Sequence, residues 1–209
     1  MTGPNGHPAG QPARANQAAG TELGSVLRPT IGRVSTPAVP EPDTKDWTWV
    51  IREPCPDCGF DPREVRLADV PDLTRRYTTT VAAAATRPGA NARPAPTTWS
   101  PLEYACHVRD VCELFDHRLH RMLDEDDPLF ANWDQDETAL EQRYWEQDPS
   151  EVAERITANA DRIAESFAGV RADQWDRPGR RSNGSLFTVD TFARYFLHDI
   201  AHHAWDVRQ

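Results

Sequence analysis

Lysine is almost missing from this chain: Lys45 stands alone among 23 basic residues, and the rest are arginine. We read that bias as the codon usage of a GC-rich genome. No compact basic run exists, and 33 acidic residues bring the formal net charge to -10. Affinity for phosphate rests on clustered cations, so binding to nucleic acid or to an anionic membrane is not expected. No stretch approaches the roughly 20 apolar residues that span a bilayer. Nor does the N-terminus pair a charged region with an apolar one, so no secretory signal is expected and the cytoplasm is the default compartment. Four cysteines in 209 residues are too few for a disulfide scaffold.

Residues 1–45 are rich in Pro, Gly, Ala and small polar residues and show no apolar periodicity. Such a segment cannot bury enough surface to offset its ordering entropy, and a disordered tail is expected. The folded part is expected to be one domain, residues 46–209, a size that suits a single core.

Within that domain one start signal recurs. Asp61-Pro62-Arg63-Glu64, Ser100-Pro101-Leu102-Glu103 and Asp148-Pro149-Ser150-Glu151 each place a capping oxygen, then Pro, then Glu at the third helical position. The cap satisfies a free N–H, Pro gives up a donor that had no partner, and Glu can close a capping box. Helices are expected at about 71–86, 101–123 and 149–170, and from about Thr188 nearly to the end, with a short one around 138–146. Tyr104, Val108, Val111, Phe115, Leu119 and Met122 form an apolar stripe on the second, and Val152, Ile156, Ile163 and Phe167 on the third long one. Convincing period-2 strand patterns are missing. The fold class is all-α, and four principal helices point to a four-helix bundle.

The last helix carries His198-Asp199-Ile-Ala-His202-His203-Ala-Trp-Asp206. His198 and His202 are four apart, so both imidazoles can converge on one divalent ion of the zinc, nickel or iron type. Asp199 and Asp206 are near enough to orient the rings. His107, about 60° from the centre of its helix's apolar stripe, is the third candidate; His117 and His120 look solvent-facing. An isolated pair at this spacing is common without metal, and a terminal His-His can simply complement the helix dipole. His203 competes with His202, since it forms its own i, i+4 pair with Asp199, and geometry alone leaves that choice open.

Cys55-Pro-Asp-Cys58-Gly resembles half of a zinc knuckle, but structural zinc takes four ligands and no second C-x-x-C exists. Cys106 and Cys112 lie about 120° apart around one helix and do not chelate. Three readings stand: a tight turn with small half-buried thiols, which is preferred, a labile disulfide, or a metal or redox role.

Together, Cys55-Pro-Asp-Cys-Gly-Phe-Asp61, Trp99-Ser-Pro-Leu-Glu-Tyr-Ala-Cys-His107-Val-Arg-Asp110 and His198-Asp-Ile-Ala-His202-His203-Ala-Trp-Asp206-Val resemble the DinB/YfiT-like superfamily of metal-binding four-helix bundles, in an actinobacterial branch. The resemblance runs from about Trp47 to Val207. It implies one ion, usually zinc or nickel, on His107, His198 and His202, and thereby favours His202 over His203. It also implies a metal-dependent S-transferase or isomerase that uses a low-molecular-weight thiol, mycothiol or bacillithiol, whose pKa the metal lowers. The partner expected is a small-molecule substrate, with homodimerisation allowed for. A metal-dependent hydrolase or isomerase at the same site is the alternative, as is a non-catalytic bundle braced by metal, in which His203, Asp199 or Glu103 would close the coordination. No general acid or base stands out; Asp110, Arg109 and Arg194 are near the ligands in sequence only.

Overall fold

In the computed structural model the residues described are 45–209, which belong to one compact unit. The expected tail therefore lies outside them, Lys45 apart. Described residues open with a 3-10 turn, Trp47–Ile51, whose first free N–H is taken by the Asp46 carboxylate. Helix α1 follows at Val70–Ala85 and α2 at Pro101–Asp124. Strand β1 is Leu129–Phe130, and α3 is Gln135–Glu141. Then come α4 at Pro149–Ala168, strands β2 at Pro178–Arg181 and β3 at Leu186–Thr188, and α5 at Val189–Asp206.

The start signals act as their chemistry dictates. Ser100 accepts from Glu103 N while the Glu103 carboxylate takes Ser100 N at 2.8 Å, a complete capping box on α2. Asp148 caps α4 through the N–H groups of Ser150 and Glu151. Asp61 caps only the 3-10 turn Pro62–Glu64, because the chain leaves helical geometry at Val65.

Helices α1, α2, α4 and α5 form the bundle, with α4 packed on α1 and α2, and α5 on the same two. The expected stripes are inside it: Val108, Val111, Leu119, Met122, Val152, Ile156, Ile163 and Phe167 are all buried. Each such side chain contributes about 1.5–3 kcal/mol when taken fully out of water. Thr74 and Thr78 enter the α1 face of the core by donating to the carbonyls of Val70 and Thr74 at 2.8 Å, which removes the cost of burying a hydroxyl. His107 meets His203, and Phe115 meets Phe192 and Phe196, so α2 and α5 run antiparallel. The start of α2 is thus brought beside the end of α5.

Two local features differ from the sequence reading. The short helix begins earlier, at Gln135, because Asp134 caps it, and it breaks at Arg143, where φ is 51°. Residues 144–146 continue only as a 3-10 turn. A small sheet also exists, ordered β1-β2-β3, parallel between β1 and β2 and antiparallel between β2 and β3. Strands of two to four residues are too short to write a period-2 pattern. The bundle remains the architecture, and the sheet seals one side of it through Phe130 and Phe187, both buried.

Candidate metal centre

Residues on a helix advance by about 100° each. The pairs His198/His202 and Asp199/His203 therefore leave α5 in different directions, though they are interleaved along it. Asp199 and His203 face α2. There the His107 Nε2 stands 3.5 Å from Asp199 Oδ1, and the His203 Nε2 stands 3.7 Å from the same oxygen. The donor atoms of these three residues lie within 4.8 Å of one another. His203 is fixed from behind, its Nδ1 donating to Asp206 Oδ2 at 2.8 Å.

His107 is 1% exposed, stacked on Trp133 with the ring centres 5.4 Å apart and flanked by Trp99 at 5.5 Å. Neither of its ring nitrogens has a hydrogen-bond partner, and neither does Asp199 Oδ1. Burying polar atoms without partners costs free energy unless something satisfies them. Burial also pushes the His107 pKa down, which keeps the ring neutral and its lone pair available. For Asp199 burial works the other way, but the neighbouring imidazoles, His107 first, offset it and hold the carboxyl below its ordinary range. Two imidazoles and one carboxylate suit a divalent ion of the zinc, nickel or iron type, and three protein ligands leave coordination open for a reactant. These residues therefore fit a metal.

Cys55, Cys58, His198 and His202 form a second group whose ligating atoms also lie within 4.8 Å of one another. Cys55 Sγ is 3.7 Å from His202 Nδ1, and the buried His198 Nε2 has no hydrogen-bond partner. All four cysteines are free thiols. Burial lowers His198 to about 4 and lowers His202 as well, while it raises Cys58 to about 11.

Of the three histidines expected to share one ion, His198 and His202 are thus placed with the two cysteines, and His107 with Asp199 and His203. The other sequence candidates serve the framework. Arg109 donates to Asp110, Gln142 and Gln147, and Asp110 accepts the Tyr144 hydroxyl. Arg194 pairs with Asp190 and holds the carbonyls of Pro62 and Val65. Glu103 is spent on the α2 cap and on Arg93. His117 and His120 are exposed.

A cavity of about 810 Å³ opens over this end of α5. His198, Asp199, His202 and His203 all line it, together with Trp47, Trp99, Tyr104, Trp133, Arg181 and Tyr195. Burial raises the Tyr104 hydroxyl to about 12, so it stays a donor at neutral pH. Arg181 reaches Asn132 at 2.7 Å, while its Nε is buried with no partner. The pocket residues drawn from outside α2 and α5 carry no spacing signal; only the fold assembles them.

No curated protein matches this sequence significantly. Among solved structures, YfiT from Bacillus subtilis, described as a probable metal-dependent hydrolase with an unusual four-helix bundle topology, is similar at a TM-score of 0.61. The likeness has 15% sequence identity and covers 71% of this chain and 89% of YfiT. No helix among the described residues is long and apolar enough to cross a membrane. A family model, that of the DinB superfamily, matches residues 72–207. Its span takes in all but the first two residues of α1, then α2 to α5, together with His107, Asp199 and His203, and the chain belongs to the DinB superfamily.

Proposed function

We propose that this chain is a divalent-metal-dependent enzyme that transfers a low-molecular-weight thiol of the mycothiol type to a small electrophile, with zinc or nickel held by His107, Asp199 and His203. One observation carries the reading: the buried His107 imidazole, whose ring nitrogens have no partner, and the His203 imidazole converge on Asp199 Oδ1 from two antiparallel helices, beside a cavity large enough for a small ligand. An ion bound there lowers the pKa of a coordinated thiol or water and so supplies a nucleophile near neutral pH.

The chain's own residues supply the rest. Asp206 holds His203 in the tautomer that points Nε2 at the site. Trp99 and Trp133 keep water from the His107 side. Tyr104, its ring centre 5.2 Å from that of His203, offers a neutral O–H to a reactant. Arg181 gives the cavity lining a cation for an anionic or hydroxyl-rich part of the substrate. That polar lining favours a polar co-substrate such as a sugar-bearing thiol.

The test mixes the zinc- or nickel-loaded protein with mycothiol and monobromobimane. Conjugation above the metal-free rate, lost in His107→Ala, is expected. No rate above the metal-free control sinks the transferase reading. Turnover that needs the metal and not the thiol would favour hydrolysis, the activity attached to YfiT.

A further inference from the structure

The group at Cys55, Cys58, His198 and His202 takes no part in the proposed reaction. We infer that it is a second metal site, a closed Cys2His2 zinc site that fastens the segment before the family region onto α5.

The donor set is that of structural zinc: two thiols spaced C-x2-C and two imidazoles spaced H-x3-H. Its geometry is close to ready. Tetrahedral zinc with bonds of about 2.3 Å to sulfur and 2.0–2.1 Å to nitrogen sets S and N ligands roughly 3.6 Å apart. Cys55 Sγ and His202 Nδ1 are 3.7 Å apart. A weak S–H···N hydrogen bond would account for that pair alone. It does not account for Cys58 and His198 closing on the same point, or for the buried His198 Nε2 having no partner.

The backbone is shaped for it. Cys55 N donates to Phe60 O at 2.9 Å and Gly59 N to Cys55 O at 3.0 Å, a tight knuckle that turns both thiols to one side. The turn needs Gly59 at φ 74°, which a side chain would disfavour. Phe60 and Trp47 lie against the His198 ring at 5.7 and 5.5 Å, and Trp47 also against His202, so aromatic rings pack on both imidazoles where they border the cavity. Behind His202, the Nε2 faces Asp206 Oδ1 at 3.9 Å. With four protein ligands no position remains for a reactant, so the role is structural. Both cysteines precede the matched family region, 72–207, so the ion would tie an added segment to the bundle. It would also hold Trp47, and with it one wall of the cavity.

The proposal is independent of the enzymatic one and is tested on the full chain. Cobalt(II) loading is expected to give thiolate-to-metal charge-transfer absorption with tetrahedral d–d bands. Zinc is expected to protect Cys55 and Cys58 from iodoacetamide, read by peptide mass spectrometry. Cys58→Ser should lose that absorption and one metal equivalent; His107→Ala should keep the absorption and lose the other equivalent. If Cys58→Ser does not fold, alkylation of the unsubstituted chain decides, with buried Cys106 and Cys112 reporting any unfolding. No charge-transfer band, equal alkylation with and without zinc, or a Cys55–Cys58 disulfide in zinc-loaded protein would each overturn it.

Discussion

Asp206 stands between two neighbouring histidines, 2.8 Å from His203 Nδ1 through one oxygen and 3.9 Å from His202 Nε2 through the other. In each ring it faces the nitrogen turned away from the ion proposed for that histidine. A carboxylate behind an imidazole fixes the tautomer and raises the basicity of the ligating nitrogen.

Replacing Asp206 with Ala should therefore weaken metal binding without removing a ligand. The expected loss is about 10–100-fold in affinity, read by competition with a chromophoric chelator. Unchanged affinity would take Asp206 out of the account.

Glu103 makes a second test, of stability. It is 1% exposed and is held by a two-pronged contact from Arg93, with Nε at 2.8 Å and a second guanidinium nitrogen at 2.5 Å. Arg93→Met leaves that carboxylate buried with only the Ser100 N–H. Losing one member of a buried pair costs about 3–5 kcal/mol, to be measured by urea unfolding. A loss below about 1 kcal/mol, the usual worth of an exposed pair, would mean that water replaces the arginine.

Gly59→Ala separates backbone strain from crowding. An added Cβ would meet nothing within 4 Å, so only the left-handed φ of 74° opposes it. The cost is about 1–2 kcal/mol, which at 1.4 kcal/mol per decade is roughly a tenfold loss of zinc affinity if the knuckle is ordered by the ion. Wild-type affinity in this variant would show that the turn is not coupled to binding.

Much of this was legible in the sequence. Ser100 and Asp148, each followed by Pro, mark true helix starts because the cap is local chemistry. The stripes on α2 and α4 mark true core because burial follows the helical repeat. The adjacent pairs on α5 were harder. One step of the helix separates His198/His202 from Asp199/His203, and which pair faces α2 depends on how α5 is rotated in the bundle, a tertiary property. Cys55 and His202 are 147 residues apart, so the C-x2-C and H-x3-H halves of one spacing rule do not read as one motif. A search of the cysteines for a second C-x-x-C passes over imidazoles already assigned elsewhere. Strands β1 and β3 escaped for a plainer reason, since two or three residues cannot display alternation.

Interleaving two chelating pairs on α5 makes that helix intolerant of slippage. Insertion of a single residue between Phe196 and His198 would swing every downstream donor by about 100°. The imidazoles meant for the thiols would then confront His107, and the one meant for His107 would take the direction now held by Ala204, which is 1% exposed in the core. With both proposed ions bound, the last turns of α5 would be held in phase at once with α2 and with the Cys55–Phe60 knuckle.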